Sequence, residues 1–282
     1  MDIISFFGSQ TVLEQYVDKS QFRGFSIGYE LNEFRYDAIV EMIFDALPDF
    51  ALNYSEIATF GPNNCVRKMR RAAKMVYDSE KYKSRGEFGE ILLHIIMRDY
   101  YSTIPAISKL YYKDSSNDTV KGFDAVHVVP IEEELQLWLG EVKFYSDCAS
   151  AIRDVIKELH IHSNKDFLRK EFLFVSNKID SSWPHAEKLQ YLIDSRTSLD
   201  KIFSRLKIPV LLTYDSKVIK NYKYICDDFR NELIEELEEN NAKFLKSGLP
   251  QNIDFVLILI PLEEKRMLVE KLHQKLRMWQ SV

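Results

Sequence analysis

The sequence predicts an α/β fold: a mixed central sheet flanked by helices, with a helical N-terminal elaboration and an α/β elaboration at the C-terminal end. Three observations predict it. A run at helical spacing, residues 86–100, is followed by three closely spaced strand candidates. Two continuous β-rich apolar runs, 208–214 and 253–260, read as strands covered on both faces. No linker or low-complexity stretch divides the 282 residues, so one domain over 1–282 is expected, with 1–80 elaborating its N-terminal side, 81–176 forming the core and 177–282 the C-terminal α/β part.

Taken in order, the segment 36–47 carries Ala38, Ile39, Met42, Ile43 and Ala46 at helical spacing, and a second helix is expected over 63–78. The third, from Gly86, places Ile91, Leu92, Ile95, Ile96 and Tyr100 on one face. Strands are then expected over 106–112, 119–129 and 135–145, separated by the turn-rich residues 113–118 and by Glu132, Glu133 and Glu134. A helix over 149–160, a strand near 171–176 and shorter helices over 184–193 and 199–206 follow. An acidic helix lies between the two apolar strands, and an amphipathic helix over 263–279 closes the chain.

Bulk properties narrow the function classes. The apolar run Phe255 to Leu262, broken by Pro261, is far shorter than the roughly eighteen residues of a membrane span, and the first residues lack the basic flank and small-residue site of a secretory signal. Cys65, Cys148 and Cys226 form no Cys-x-x-Cys pair, so neither a disulfide framework nor a zinc knuckle is expected, and a cytoplasmic protein fits this usage. No phosphate-binding Gly-x-x-x-x-Gly-Lys-[Ser/Thr] loop is present, which excludes an ATP-driven motor of that type. A net charge of −5 disfavours tight DNA binding through the overall field. Charge is nonetheless uneven. Arg67, Lys68, Arg70, Arg71 and Lys74 open a basic stripe that continues through Lys81, Lys83 and Arg85, whereas 227–239 is acidic. The stripe is the candidate nucleic-acid contact; a solvated helix face is the plainer reading of either run alone.

The chemistry-bearing residues sit where charge is least expected. The segment 135–145 is apolar almost throughout yet holds Glu141 and Lys143. Residues two apart on a strand share a face, so the carboxylate and the ammonium emerge together while Val142 points into the other layer. Asp124 lies in a second apolar segment whose connection to the first is short enough for antiparallel pairing. Two carboxylates on neighbouring strands can share one hard cation, Mg²⁺ or its substitute Mn²⁺, and Lys143 can hold an attacking water or a phosphate. Glu-x-Lys alone is weak, and a structural ion pair explains the pair about as well. Glu87 and Glu90, three apart after Gly86, add acids on one helix face, although acids also favour helix starts for the dipole alone.

Helix acid, strand Asp, then Glu-x-Lys on the next strand resembles the PD-(D/E)XK nuclease superfamily. The resemblance implies a restriction-endonuclease-like core, with Asp124 and Glu141 as metal ligands, Lys143 aiding the attack, and Glu90 as the helix acid that joins them at the metal site, Glu87 being the alternative. Phe123 stands where that pattern has Pro. A closer resemblance, carried by Arg85-Gly86-Glu87-x-Gly89-Glu90, Lys121-Gly122-Phe123-Asp124-x-Val126-His127 and Leu139-Gly140-Glu141-Val142-Lys143-Phe144-Tyr145, is to the HamA family, nuclease subunits of Hachiman anti-phage defence. It implies a metal-dependent deoxyribonuclease delivered to DNA and restrained by the helicase subunit HamB, with no membrane role. The competing class is a non-catalytic partner-binding module with a buried ion-pair network.

Three other motifs are set aside. Gly24-Phe25-Ser26-Ile27-Gly28 matches a hydrolase elbow, but the polar residues 18–23 do not read as the strand an elbow needs. His160 and His162 read as surface histidines at a helix end. His127 reads as a satisfied core histidine rather than a ligand.

Overall fold

A computed structural model describes residues 8–76, 86–108 and 122–282. Its first half contains strands β1 (Glu14–Lys19), β2 (Phe22–Ser26), β3 (Tyr29–Glu30) and β4 (Glu33–Phe34). Helices α1 (Tyr36–Asp45), α2 (Leu47–Ala51), α3 (Tyr54–Ala58), α4 (Cys65–Val76) and α5 (Glu87–Tyr101) follow. Next come β5 (Ile104–Pro105), β6 (Ala125–Ile131) and β7 (Glu134–Phe144), then α6 (Cys148–His162), α7 (Lys165–Ser176), α8 (Ala186–Ile193) and α9 (Leu199–Phe203). The chain ends through β8 (Leu206–Asp215), α10 (Lys217–Asn221), α11 (Asp227–Leu245), β9 (Asp254–Leu262) and α12 (Lys265–Ser281).

Among the described residues, seven strands form the central sheet in the order β1-β2-β9-β8-β7-β6-β5. It is mixed. The β2, β9, β8 and β7 run is parallel, while β1 and the β5–β6 end pair antiparallel. Parallel neighbours need long crossovers, and the helices that supply them cover the faces, which is why β8 and β9 are buried along nearly their whole length. The expected mixed sheet flanked by helices is the observed architecture.

Several local expectations are corrected. The N-terminal part is not purely helical, because β1 and β2 belong to the central sheet. Charged Glu14, Asp18 and Lys19 hide the strand pattern, and charge of this kind is tolerated on an edge strand such as β1. The strand expected near 171–176 is the second half of helix α7: Asn164 caps it, and buried Leu168, Phe172 and Val175 recur at helical spacing. Of the strand expected over 106–112, residues 109–112 lie outside the described residues; the pairing found there is the two-residue β5 just before it. The next strand begins at Ala125, one residue beyond Asp124, and 119–121 lie outside the described residues. Ser26 does follow a strand, so the reason given against the hydrolase elbow fails. The elbow itself still fails, since Ser26 is wholly buried and the β3–β4 hairpin, not a helix, follows.

Candidate metal and nuclease site

The two faces of β7 are divided as side-chain alternation requires. A Cβ on Gly140 would lie 2.7 Å from Leu93 of α5, and a Cβ on Gly89 of α5 would lie 2.9 Å from Phe144 and 3.2 Å from Val142. Helix α5 therefore packs closely on the even-numbered face of β7, which suits Gly at both contacts. Glu141 and Lys143 occupy the other face, beneath α6.

Asp124 reaches this face from the residue just before the neighbouring strand β6. Its N–H donates to the Gly140 carbonyl at 2.7 Å, extending the β6–β7 ladder by one residue, and its Oδ2 accepts from the Val142 N–H at 2.9 Å. The loop before it is held by a residue of α7. The Glu171 carboxylate accepts from the Phe123 N–H at 3.2 Å, and a Cβ on Gly122 would lie 2.5 Å from that carboxylate, so glycine leaves the room the contact needs. Glu171 escaped sequence reasoning because the segment read as a strand.

Glu141 is 2% exposed. Its Oε1 accepts from Lys143 Nζ at 3.3 Å, and its Oε2 lies 2.9 Å from Nδ1 of His162. Lys143 also bonds Glu158 of α6. Burial pushes the Glu141 carboxyl well above the usual range, and the adjacent Asp124 pushes the same way, more than Lys143 can offset. Burial works against the charge on Lys143 as well, but Glu141, Glu158 and Asp124 together raise its pKa. Three carboxylates thus act on one ammonium.

Thus the structure brings Asp124, Glu141 and Lys143 together as expected and adds Glu158 and His162. His162 is not a surface histidine. It stacks on Phe167 with ring centroids 4.2 Å apart, and Phe123 meets its edge at 5.1 Å. Phe123, standing where the superfamily pattern has Pro, is one wall of the histidine's slot. The signal for Glu158 and His162 was their four-residue spacing on one helix face. Glu87 and Glu90 both lie in the first turn of α5, Glu87 buried and Glu90 half-buried, on either side of the Gly89 contact with β7.

The donor set fits a small hard cation. Mg²⁺ is commonly held by one or two carboxylates with water and substrate oxygens completing its shell, and a buried carboxylate crowded by a second one lacks positive charge. Among the described residues no group of three or more His, Cys, Asp or Glu forms a ready-made metal cage, so Asp124 and Glu141 would be a two-carboxylate site.

Of the basic stripe, Lys68 bonds the Glu56 carbonyl and Thr59, Arg71 pairs with Glu56 at 2.9 Å, and Arg70 donates to the Val282 carbonyl at 2.8 Å. These contacts tie α4 to α3 and to the chain end. Arg67 and Lys74 are exposed on the same helix, and Lys81, Lys83 and Arg85 lie outside the described residues. His127 is the satisfied core histidine expected, 2.7 Å from Thr103 Oγ1 and 3.1 Å from His94. No described helix is long and apolar enough to cross a membrane.

A mixed sheet flanked by helices, with an acid entering one strand and Glu-x-Lys closing its neighbour, is a restriction-endonuclease-like α/β fold. The chain belongs to the HamA family, whose model matches residues 1–276, and this membership fits a component of Hachiman anti-phage defence. Comparison with curated proteins gives no match.

Proposed function

We propose that the chain is a metal-dependent DNA nuclease, the effector subunit of a two-component anti-phage defence system, held in check and delivered to DNA by the HamB helicase. The observation that carries this reading is the convergence of Asp124 and Glu141 beside Lys143, with an excess of buried negative charge that a divalent cation would neutralise. Bound Mg²⁺, or Mn²⁺ in its place, would polarise the scissile phosphate and a water molecule.

The protein's own groups supply the rest. Asp124 and Glu141 would hold the cation. Glu90, or alternatively Glu87, starts α5 on the opposite face of β7 and would act as a positioning acid through the packing of that helix on the strand, not as a third ligand in the same cage. His162 fixes the orientation of Glu141, as an imidazole hydrogen-bonded to a ligating carboxylate does. Lys143 places its ammonium where charge builds on the attacked phosphate, and Glu158 orients that ammonium. The net charge of −5 agrees with delivery by a partner, and Arg67, Lys68, Arg70, Arg71 and Lys74 are the proposed DNA contacts, led by Arg67 and Lys74.

A non-catalytic partner-binding module is favoured by one observation, the ion-pair network of Lys143 with Glu141 and Glu158. Buried charges are paired within the fold or bind a metal. This one sets Glu141, Asp124 and the more exposed Glu158 around one lysine, with His162 on the far side of Glu141, so acids still outnumber bases. Plasmid cleavage by the purified chain, alone and with the helicase, over a series of divalent metals decides between the readings. Absence of metal-dependent cleavage in every combination would overturn the nuclease.

A further inference from the structure

A cavity of about 450 Å³ opens at the β5–β6 edge of the sheet, and Asp124 forms part of its wall. One boundary residue is therefore shared between this cavity and the proposed metal pair. The volume falls in the range of sites that enclose one small molecule, and one nucleotide is of that size, whereas a duplex is not. The lining is mixed in the way a nucleotide requires. Tyr54 and His185 supply accessible ring surfaces, buried Trp183 backs His185 edge to face at 5.2 Å, and Lys178 supplies a cation. Besides Asp124, two acids in the wall are matched from within the fold: Asp49 by His94 and Arg98, and Asp180 by hydrogen bonds from Ser55 and Ser182.

We infer that this cavity takes the unstacked base of a single-stranded DNA segment, so that the phosphodiester attached to that nucleotide lies at Asp124. The inference rests on the nuclease reading and sharpens it, naming single-stranded DNA as the preferred substrate form. A base inside a duplex must be unpaired and unstacked before it can enter such a pocket, at a cost of a few kcal/mol, and a single strand avoids most of that cost. Stacking on aromatic side chains tolerates every base, so the pocket would grip without reading sequence.

The test is binding without metal, in EDTA, where cleavage does not intervene. The full chain is titrated into a short single strand carrying one central 2-aminopurine, and into its paired duplex. The single strand should bind about tenfold more tightly than the duplex and its fluorescence should change on binding. Ile107→Trp, which fills the cavity, and His185→Ala, which removes a ring, should each weaken single-strand binding about tenfold while circular dichroism and melting stay native. Equal affinity for both forms, or native single-strand affinity in both folded variants, would overturn the pocket. A free deoxynucleoside monophosphate that displaces the oligonucleotide at equal concentration would also overturn it, reassigning the cavity to a small molecule. Metal-dependent plasmid cleavage without single-strand preference sinks the pocket alone; single-strand preference with no cleavage under any metal sinks the nuclease alone.

Discussion

Two clusters of buried charge lie on opposite faces of the β6–β7 pair, each built around a carboxylate, a histidine and a basic side chain. On the α5 face, Asp49 sits 2.9 Å from both His94 and Arg98, and a relay continues from His94 to His127 and Thr103. On the α6 face, Glu141 lies between His162 and Lys143. Burial raises both carboxyl groups, but around Asp49 the contacts with His94 and Arg98 outweigh it and hold the acid well below its usual range. Around Glu141, Asp124 adds to the effect of burial and the acid is driven up. The balance of neighbouring charge, rather than the residue types, therefore separates a self-sufficient network from one that needs a cation.

The sharpest break between the clusters is expected from deleting an acid in each. Asp124→Ala or Glu141→Ala should lower metal-dependent cleavage on the order of a thousandfold, the several kcal/mol that a polarising metal contributes. The fold should survive, and Glu141→Gln should melt no lower than the parent in metal-free buffer, because a crowded buried charge has been removed. Asp49→Ala should do the reverse. It leaves Arg98 and His94 short of a partner and should cost about 3 kcal/mol in chemical denaturation. If Glu141→Ala unfolds the protein as readily as Asp49→Ala, the α6 cluster is a structural network and the comparison collapses.

Smaller effects sharpen the roles around Glu141. His162→Ala should weaken metal affinity, read by calorimetry, by about ten- to a hundredfold, the usual cost of losing a group that orients a ligand. Unchanged affinity would show that the 2.9 Å contact does not position Glu141. Of the two helix acids, Glu90→Ala should reduce cleavage more than Glu87→Ala, by about tenfold. A greater loss at Glu87 would move the role to the buried acid.

Much of this site was legible because it obeys short-range rules. Glu141 and Lys143 share a face by strand alternation, Val142 turns to the other layer, and Asp124 pairs opposite them through a short connection. What was hidden depends on contacts between distant elements. His162 and Glu158 stand on a helix whose exposed and buried faces resemble any amphipathic pattern, and only the packing of α6 over β7 brings them to Glu141 and Lys143. Glu171 was obscured by a β-rich apolar run that tertiary packing holds as helix, a short-run ambiguity that periodicity cannot settle. Strand β1 was obscured for the opposite reason, its charged residues suiting an edge but concealing alternation.

The smallest expected effect concerns acid. Asp49 has a folded-state pKa below its ordinary value of 3.8, so the folded form binds the proton less readily than the unfolded chain. Its contribution to stability is then fully present above that ordinary value and is lost as pH falls below it toward the folded value. Denaturation in urea at stepped pH should show stability falling on this acid limb, by up to about 1.4 kcal/mol for each pH unit from this one group. Asp49→Asn, which cannot titrate, should start less stable at neutral pH and show a shallower limb. Because Asp49 is 14% exposed and held by two basic partners, solvent screening should remove little of the difference. An acid limb of the same slope in parent and variant would mean that other carboxyls dominate acid unfolding and that the α5 cluster is less strongly coupled than its geometry requires.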